Sequence, residues 1–315
     1  MKVVIPGGTG QVGTLLARDF KRHGHEVVVL SRRPPRRALW RVLKWDGATL
    51  GNWAAELDGA DVVINLAGRS VNCRYTAENR RQILESRVDS TRVVGEAIAR
   101  ANQPPRVWLQ AGTATIYAHR YDAPNDEATG LIGGSERGSS RPWRFSTEVA
   151  KAWEAAVAQA ATPRTRKVIL RSAMTMSVDA GGVFSVMLKL VQRGLGGRAG
   201  NGRQYVSWIH EHDFVAAVRW LVEHDDIAGP VNLCSPNPLP NAEFMRWFRL
   251  TWGLSFGLPA PRPLLDLGAL FMRTEPELVL KSRRVVPGVL LQSGFKFRFP
   301  NWPEAVQDLC RRWRD

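Results

Sequence analysis

The sequence predicts an α/β protein with a doubly wound parallel sheet, followed by a smaller, mostly helical C-terminal part. Three observations support this fold class. Short β-branched runs alternate with amphipathic helical stretches through the first half of the chain. A glycine-rich turn joins the first strand to the first helix. Beyond about residue 175, glycine-rich and proline-rich stretches separate the predicted helices instead.

The first half follows a strand–helix–strand rhythm, which is typical of a parallel sheet covered by helices on both faces. Buried strands are indicated by apolar runs such as EVVVLS and DVVINL, and the longest helix carries apolar side chains at helical spacing. Strands are predicted at Lys2–Ile5, Glu26–Ser31, Arg41–Trp45, Asp61–Leu66, Arg106–Ala111 and Lys167–Arg171, and helices at Gln11–His23, Thr76–Asn102 and Ser146–Ala161.

The second half predicts a helix after Asp213, a strand at Val231–Cys234, a helix from about Asn241 and a final helix over Trp302–Trp313. We expect residues 1–175 to bind the cofactor and residues 176–315 to form a substrate-side domain. A strand near 230–235 is expected to rejoin the first sheet. The polar, glycine-rich segment Tyr121–Arg141 predicts a mobile loop and a candidate lid.

Composition excludes several classes of protein. The chain has 315 residues, 44% of them hydrophobic, which suffices for one large domain or two joined ones. Its three cysteines are far apart and form no CxxC pair, which argues against a disulfide framework and a structural zinc site. No apolar run is long enough for a membrane span or a signal peptide, so we expect a cytoplasmic protein with no membrane partner.

The chain is basic, with 44 Lys and Arg against 29 Asp and Glu and a net charge of +15. Such a surface favours phosphorylated ligands, nucleic acids or anionic membranes. The arginines are scattered, however, which indicates a generally basic surface. No helix-turn-helix, zinc or RNA-recognition motif is present, so we expect no specific nucleic acid partner.

The glycine-rich turn predicts a dinucleotide-binding site. Gly7, Gly10 and Gly13 form a GxxGxxG pattern that directly follows the first strand, and Gln11 and Val12 open the helix. The first glycine permits the tight turn, the second lets the backbone approach a pyrophosphate, and the third lets helix and strand pack closely. The N-terminus of the helix attracts phosphate charge.

The end of the second strand indicates which dinucleotide binds. Sites for NAD carry an acidic residue here for the ribose hydroxyls. This strand ends in Ser31 and continues with Arg32 and Arg33, so no carboxylate repels a 2′-phosphate and two guanidinium groups are available for it. The sequence therefore predicts NADP(H) as cofactor. Asp46, after the third strand, either accepts a hydrogen bond from the adenine amine or lies in a plain surface turn.

Further motifs resemble a known family. The opening glycines, NLAG (Asn65–Gly68) and TATIY (Thr113–Tyr117) resemble an atypical, extended short-chain dehydrogenase/reductase of the epimerase-like branch. Other segments similar to that branch are ILESRVDST (Ile83–Thr91), SWIHEHD (Ser207–Asp213), GPVNLCSPNP (Gly229–Pro238) and SRRVVPGVLLQSGFKFRFP (Ser282–Pro300). The last segment resembles the C-terminal part of the branch. The resemblance implies a Rossmann-type fold and cofactor contacts at Leu66, Ala67 and Gly68. Arg87 either faces cofactor or substrate or is a surface helix charge.

The family's usual chemistry needs a Tyr with a Lys four residues later, and a Ser or Thr that orients the carbonyl. The hydroxyl has a match in Thr113, but no lysine follows any of the four tyrosines at that spacing. The expected acid/base positions fall at Ser146 and Ala150, which cannot replace a phenol and an ammonium group. Tyr117 is the candidate surviving donor, with packing at the strand end as its alternative role. Lys151 is expected to be solvated.

His210, His212 and Asp213 have a spacing that is compatible with a metal site. They precede an amphipathic helix, however, so Asp213 is expected to be the N-cap of that helix and no metal is expected.

Two functions remain for the protein. The first is an NADP(H)-dependent oxidoreductase or epimerase-like enzyme acting on a small carbonyl or sugar-like substrate. The second is a non-catalytic NADPH-binding regulatory or scaffold protein. The residues leave the substrate and the oligomeric state open.

Overall fold

The computed structural model describes residues 1–136, 138–265, 275 and 277–315. Its strands are β1 (Lys2–Pro6), β2 (Glu26–Ser31), β3 (Arg41–Lys44), β4 (Val62–Asn65), β5 (Val107–Thr113), β6 (Arg166–Ser172), β7 (Met174–Met176), β8 (Tyr205–Val206), β9 (Trp208–His210), β10 (Gly229–Leu233) and β11 (Leu239–Pro240). Its helices include α1 (Gln11–Arg22), α2 (Ala77–Arg100), α3 (Arg141–Gln159), α4 (Val183–Gln192), α5 (Glu211–Glu223), α6 (Asn241–Trp252), α7 (Glu277–Leu280), α8 (Gly288–Gln292) and α9 (Trp302–Arg314).

The central sheet confirms the predicted fold class. Seven strands lie in the order β10-β6-β5-β4-β1-β2-β3, and every neighbouring pair is parallel. Because β1 lies between β2 and β4, the winding of the chain reverses beside it. Ligands of such sheets bind in the crevice that this reversal opens at the carboxyl ends of the strands. The strand near 230 belongs to this sheet, since Val231 pairs with Leu170.

Helices bury both faces of the sheet. One face packs against α1 and α5 through side chains such as Phe20 and Phe214. The other face packs against α2, where Val94 and Ile98 meet the indole of Trp108. The apolar runs of the sequence therefore form two core layers, which hold the carboxyl ends of the strands rigidly in place.

The C-terminal part has its own aromatic core between α4, α6 and α9. The Phe244 and Trp302 rings stack with their centroids 4.0 Å apart, and Phe184 stacks on Phe248 at 5.2 Å. The chain just before α9 lies against the main sheet, where Leu290 and Phe295 join the core of its first face. This placement brings the C-terminal segment to the same edge as the ends of β5 and β6.

The predicted lid is anchored to that segment. The Asn125 amide donates to the Arg284 carbonyl at 2.7 Å, and the Val286 amide donates back to the Asn125 carbonyl at 3.0 Å. The Glu127 carboxylate accepts from the Asn232 amide at 2.7 Å. These bonds tie the first half of the loop to the C-terminal segment and to β10, and the expectation of a mobile loop stays a prediction.

Two helix starts differ from expectation. Helix α3 begins at Arg141 rather than near Ser146, because the Ser140 hydroxyl caps it by accepting from the Trp143 amide at 3.3 Å. Helix α5 is capped by His210, whose Nδ1 accepts from the His212 amide at 3.1 Å.

The prediction that Asp213 is the N-cap is therefore wrong. Its carboxylate lies in the first turn of α5 and accepts from the Arg298 and Phe299 amides, at 2.7 and 2.8 Å, which ties the C-terminal segment to the helix.

In the described part of the chain, no helix combines the length and the apolar character that crossing a membrane requires.

Candidate functional site

The glycine-rich turn has the geometry of a phosphate cradle. Gly7 has φ +74°, and a Cβ there would lie 2.7 Å from the Ala67 Cα atom. A Cβ at Gly13 would lie 2.5 Å from the Gly8 Cα atom, so only glycine lets α1 approach the turn this closely. At Gly10, by contrast, the nearest atom to an added Cβ is the Gly7 carbonyl oxygen at 3.9 Å. The space above Gly10 is therefore open for a pyrophosphate.

The first turn of α1 is available to an anion, because Gly10 is its N-cap and no side chain caps its amides. Beside it, Gln11 Nε2 donates to the Asp179 carbonyl at 3.2 Å, and Arg18 forms an ion pair with the Asp179 carboxylate at 3.2 Å. The Val12 side chain is half-buried against the core of the sheet. The Gln11 side chain thus fixes a loop of the second half beside the phosphate cradle.

Two arginines, Arg32 and Arg33, directly follow the end of β2. Ser31 Oγ lies 3.1 Å from Thr9 Oγ1 and accepts from the Arg33 amide at 3.2 Å, which shapes the turn. The Arg32 and Arg33 side chains are exposed. Within the described ranges neither has an ion-pair partner, so both guanidinium groups are available to a 2′-phosphate.

Asp46 lies in a surface turn. Its Oδ1 accepts from the Ala48 and Thr49 amides at 2.8 and 2.9 Å, and its Oδ2 accepts from the Thr49 hydroxyl. These bonds to the turn's own groups hold the pKa of the carboxyl below its usual range. The geometry favours the surface-turn alternative over recognition of adenine.

The chain after β4 forms the opposite wall of the cradle. Leu66 donates its amide to the Pro6 carbonyl at 2.8 Å, and Asn65 Oδ1 accepts from the Ala67 amide at 3.1 Å. Gly68 is exposed, and a Cβ there would lie 3.2 Å from the Arg87 Cζ atom.

Arg87 lies beneath this wall and is not a surface charge. Its Nη1 donates to the Arg69 and Ile83 carbonyls at 3.0 and 2.9 Å, and its guanidinium lies 4.9 Å from the centroid of the Trp153 ring. Burial lowers the pKa of Arg87 to about 10. Arg87 therefore supports the loop that carries Gly68.

Thr113 ends β5 at the carboxyl edge of the sheet, opposite Ser172 of β6. Its Oγ1 accepts from the Thr115 amide at 3.1 Å. No described residue accepts the Thr113 hydroxyl proton, so that proton is available to a ligand. The orienting role of Thr113 stays a prediction.

Tyr117 is 2% exposed, and its hydroxyl is already paired. The hydroxyl donates to Asn232 Oδ1 at 3.0 Å and accepts from Arg171 Nη1 at 2.8 Å. Arg171 in turn pairs with Glu154 at 2.8 Å. Burial raises the pKa of the Tyr117 phenol. This geometry favours the packing role of Tyr117 over the role of proton donor.

The positions where the family carries its acid/base pair also differ in environment. Ala150 is buried against Tyr117 and Ala114, whereas Lys151 is exposed. Ser146 points to a small niche and forms a hydrogen bond with the Tyr75 phenol, whose pKa burial raises. No ammonium group of α3 therefore enters the site.

Two neighbouring hollows lie at this site. The outer cavity has a volume of about 280 Å³ and is lined by His119, Tyr121, Gly138, Ser140, Trp143, Gly200, Asn201, Gln204, Arg262 and Leu280. The inner niche has a volume of about 10 Å³ and is lined by Tyr75, Thr115, Pro142, Trp143, Ser146, Glu275, Lys281 and Arg283. Trp143 belongs to both, and its ring stacks on His119 at 4.5 Å.

Sequence reasoning missed the two cations of the inner niche. Lys281 is 1% exposed, and its Nζ donates to the Thr115 carbonyl at 2.7 Å. Arg283 Nε donates to Thr115 Oγ1 at 3.2 Å. Burial lowers the pKa of Lys281 to about 7 and that of Arg283 to about 10. Their only signal in the sequence is their position at the segment Ser282–Pro300, which resembles the family's C-terminal part: Lys281 directly precedes it and Arg283 lies within it.

The two histidines of the metal hypothesis do not line the cavities described above, and a third candidate ligand, Asp308, lies beside them. His210, His212 and Asp308 bring possible ligand atoms within 4.8 Å of one another. The Arg312 guanidinium, however, lies 3.2 Å from His212 Nε2 and 3.3 Å from Asp308 Oδ2. A resident cation thus occupies lone pairs of His212 and Asp308 that a metal would need. Burial lowers the pKa of His210 to about 3, so this imidazole is neutral.

Comparisons with known proteins agree with this architecture. Residues 3–234 match the model of the NAD dependent epimerase/dehydratase family, and residues 260–309 match a domain of unknown function, DUF1731. The epimerase family protein SDR39U1 of Bos taurus is 32% identical, over 98% of this chain and 99% of its own. The epimerase family protein MW0731 of Staphylococcus aureus is 28% identical, over 98% of each chain.

Solved structures share the fold. The crystal structure of human epimerase family protein SDR39U1 (isoform 2) with NADPH has a TM-score of 0.86, with 29% identity over 99% of each chain. UDP-N-acetylglucosamine 4-epimerase from Bacillus cereus has a TM-score of 0.73 at 16% identity, covering 100% of this chain and 96% of its own, a likeness of fold alone. Sequence, fold and glycine-rich cradle together lead to one conclusion: the chain belongs to the NAD dependent epimerase/dehydratase family.

Proposed function

We propose that the protein is an NADP(H)-dependent oxidoreductase that acts on a small carbonyl substrate. The observation that carries this proposal is the cationic end of β2, where Arg32 and Arg33 stand exposed beside the cradle in place of an acidic residue. The open space at Gly10 and the uncapped first turn of α1 fit a pyrophosphate. The NADPH in the crystal structure of human SDR39U1 supports the same choice of cofactor.

The substrate would enter from the outer cavity. Its volume of about 280 Å³ lies just below the range of ligand pockets, which span roughly 300–1,000 Å³, so the cavity suits a small substrate. In this proposal residues 1–175 provide the cofactor cradle, and residues 176–315 provide much of the substrate side. Gln204 and Lys281 are examples from that second part.

When bound, NADPH supplies a hydride for the carbonyl carbon. The chain supplies the position and the polar environment of the carbonyl. Thr113 donates its hydroxyl proton to the carbonyl oxygen, and the walls around Trp143 exclude water from one side of the substrate. The Thr113 hydrogen bond polarises the carbonyl, because it strengthens as negative charge develops on the oxygen.

Cofactor titration tests the proposal. Arg32→Ala removes a charge-assisted contact with the 2′-phosphate, which is worth roughly 1.5–3 kcal/mol, or about ten- to a hundredfold in affinity. We expect the wild type to bind NADPH at least about tenfold tighter than NADH, and the variant to lose that preference. Intrinsic tryptophan fluorescence measures both affinities. Arg36→Ala, an exposed arginine of the same loop, is the matched control. Equal affinities of the wild type for the two cofactors would overturn the proposal.

A second function is favoured by one observation, the absence of the usual acid/base pair at Ser146 and Ala150. A protein that binds NADPH without turning it over would show the same cradle. A panel of aldehydes, quinones and keto-sugars, followed by the loss of NADPH absorbance, separates the two functions. Tight NADPH binding with no turnover of any panel member would favour the regulatory or scaffold role.

A further inference from the structure

Reduction of a carbonyl leaves a negative charge on oxygen that needs a proton. A positioned general acid contributes about 10²–10⁴-fold to such a step. Ser146 cannot supply that proton efficiently, and the Tyr117 hydroxyl is already bonded to Asn232 and Arg171. The proposed reaction therefore lacks a donor at the places where the family carries one.

We propose that Lys281 of the C-terminal segment is the proton donor of this reaction, an inference that rests on the proposed function. Its amine lines the inner niche together with Ser146, which stands at the family's tyrosine position. A short side chain at 146 leaves room there, and Lys281 reaches the same niche from a distant part of the chain. The acid is thus supplied by a different element and not lost.

The amine is held just beyond the end of β5, next to the stretch of chain that carries Thr113. Lys281 Nζ donates to the Thr115 carbonyl at 2.7 Å, two residues beyond Thr113. An ammonium group has three donors, so this one bond positions the amine and leaves further protons for a ligand. Trp143 lines both the niche and the outer cavity, so the niche that holds the amine adjoins the substrate side.

The charges around Lys281 suit proton exchange near neutral pH. Burial and the Arg283 guanidinium lower the pKa of Lys281 to about 7, and the Glu136 carboxylate opposes this shift. The other titratable groups nearby are His119, whose pKa burial and Lys281 lower, and Tyr75 and Glu275, which line the niche. An acid with a pKa near the working pH is both protonated often enough and acidic enough to act.

The step balances. The hydride of NADPH adds to the carbonyl carbon, and the π electron pair moves to oxygen. That oxygen takes a proton from the Lys281 ammonium group, which becomes a neutral amine. NADPH is oxidised to NADP⁺, the carbonyl is reduced to an alcohol, and Lys281 regains a proton from water.

Tyr75 is the rival donor, because its phenol lines the same niche and forms a hydrogen bond with Ser146. Burial raises the pKa of Tyr75 above its usual value of 10.0, so Tyr75 does not titrate near neutrality. The pH dependence of the reaction therefore distinguishes the two groups.

The first arm of the experiment needs no turnover. The NADP⁺-saturated protein is acylated briefly with acetic anhydride over a range of pH, and mass spectrometry quantifies each lysine. Only the neutral amine reacts. We expect Lys281 to reach half of its maximal reactivity near pH 7, and the exposed Lys296 serves as the reference lysine in the same experiment. A Lys281 that stays unlabelled, or that titrates with Lys296, would overturn the inference.

The second arm measures NADPH oxidation with the carbonyl panel. Wild-type kcat/KM is expected to fall as pH rises through about 7, because the donor must be protonated. In Lys281→Met, kcat/KM should fall by about 10²–10⁴-fold. The pH limb, that is the decline of kcat/KM as pH rises through about 7, should disappear with it. Lys281→Arg, which keeps the charge, should also lose the limb, whereas Tyr75→Phe and Lys296→Met should keep it.

A limb that persists in Lys281→Arg, or that disappears in Tyr75→Phe, would also overturn the inference. NADPH affinity, measured for every variant, shows that the cofactor site is intact. Failure of the proposed function looks different, because it appears as weak NADPH binding or absent turnover in the wild type, whatever the reactivity of Lys281.

Discussion

The cofactor side and the substrate side of this site are built in opposite ways. The cradle comes from consecutive residues, in which Gly7, Gly10 and Gly13 form one turn between β1 and α1. The inner niche joins side chains that are far apart in the chain, from Tyr75 and Ser146 to Lys281. Both lie at the carboxyl edge of the same sheet.

This difference shows which functional groups of a site can be supplied from another part of the sequence. A backbone cradle depends on local geometry, so its glycines cannot be replaced by residues elsewhere in the chain. A proton donor needs only to reach a point in space. A lysine carried by a C-terminal segment can therefore take over from a tyrosine on α3, provided that the segment is fixed there. The bonds of Asn125 and Asp213 to that segment fix it.

The largest effect is expected from a substitution in the cradle, Gly10→Val. Gly10→Val should reduce NADPH affinity by more than about a hundredfold, because the isopropyl group fills the space of the pyrophosphate. Its fold should survive, since the nearest atom to a Cβ at Gly10 is 3.9 Å away. Fluorescence titration and thermal unfolding measure the two properties.

Gly13→Val is the matched contrast. A Cβ at Gly13 would lie 2.5 Å from the Gly8 backbone, so this variant should lose thermal stability as well as cofactor binding. A Gly10→Val protein with wild-type affinity would show that the phosphates bind elsewhere, and a fully stable Gly13→Val protein would contradict the close packing of α1.

The contrast also explains what the sequence predicts. Strands such as Glu26–Ser31 were predictable because an apolar, β-branched run has one stable place in a parallel sheet. The cradle was predictable because its motif is contiguous and its physics is local. The boundary of α3 was harder to predict, since the cap at Ser140 competes with other polar residues nearby in the loop.

The substrate side could not be predicted for a physical reason. Nothing within a few residues of Lys281 indicates burial, because the groups that bury it come from Thr115, Trp143 and Ser146. The same holds for Tyr117, whose partner Asn232 lies 115 positions further along the chain. Tertiary contacts of this kind decide the ionisation of a side chain, and a local pattern does not encode them.

A smaller expected effect concerns the pH dependence of the free energy of unfolding, which tests whether Lys281 is buried. Its pKa is lowered from 10.5 in the unfolded chain to about 7, so the unfolded state binds more protons between these values. Stability of the wild type should therefore rise with pH across this window, relative to Lys281→Met, by on the order of a few kcal/mol. Below about pH 7 the difference should stay constant.

Denaturant unfolding of both proteins at a series of pH values measures this difference, and groups common to the two proteins cancel. Lys296→Met, which removes an exposed lysine near the same segment, is the matched control. A flat difference for Lys281→Met would mean that water reaches the amine freely, and the niche would then not be the enclosed site described above.

The smallest effect tests Tyr117, which lies beside the catalytic region without belonging to it. Tyr117→Phe removes a hydroxyl that bonds to Asn232 and Arg171, leaving an amide oxygen and a guanidinium donor unpaired. Such a loss costs about 1–3 kcal/mol. Turnover and NADPH affinity should remain those of the wild type, because the hydroxyl points into this buried network. Chemical denaturation and the carbonyl panel measure both. A variant of unchanged stability that loses turnover would restore Tyr117 as the donor, and the substrate side would then be as local in sequence as the cradle.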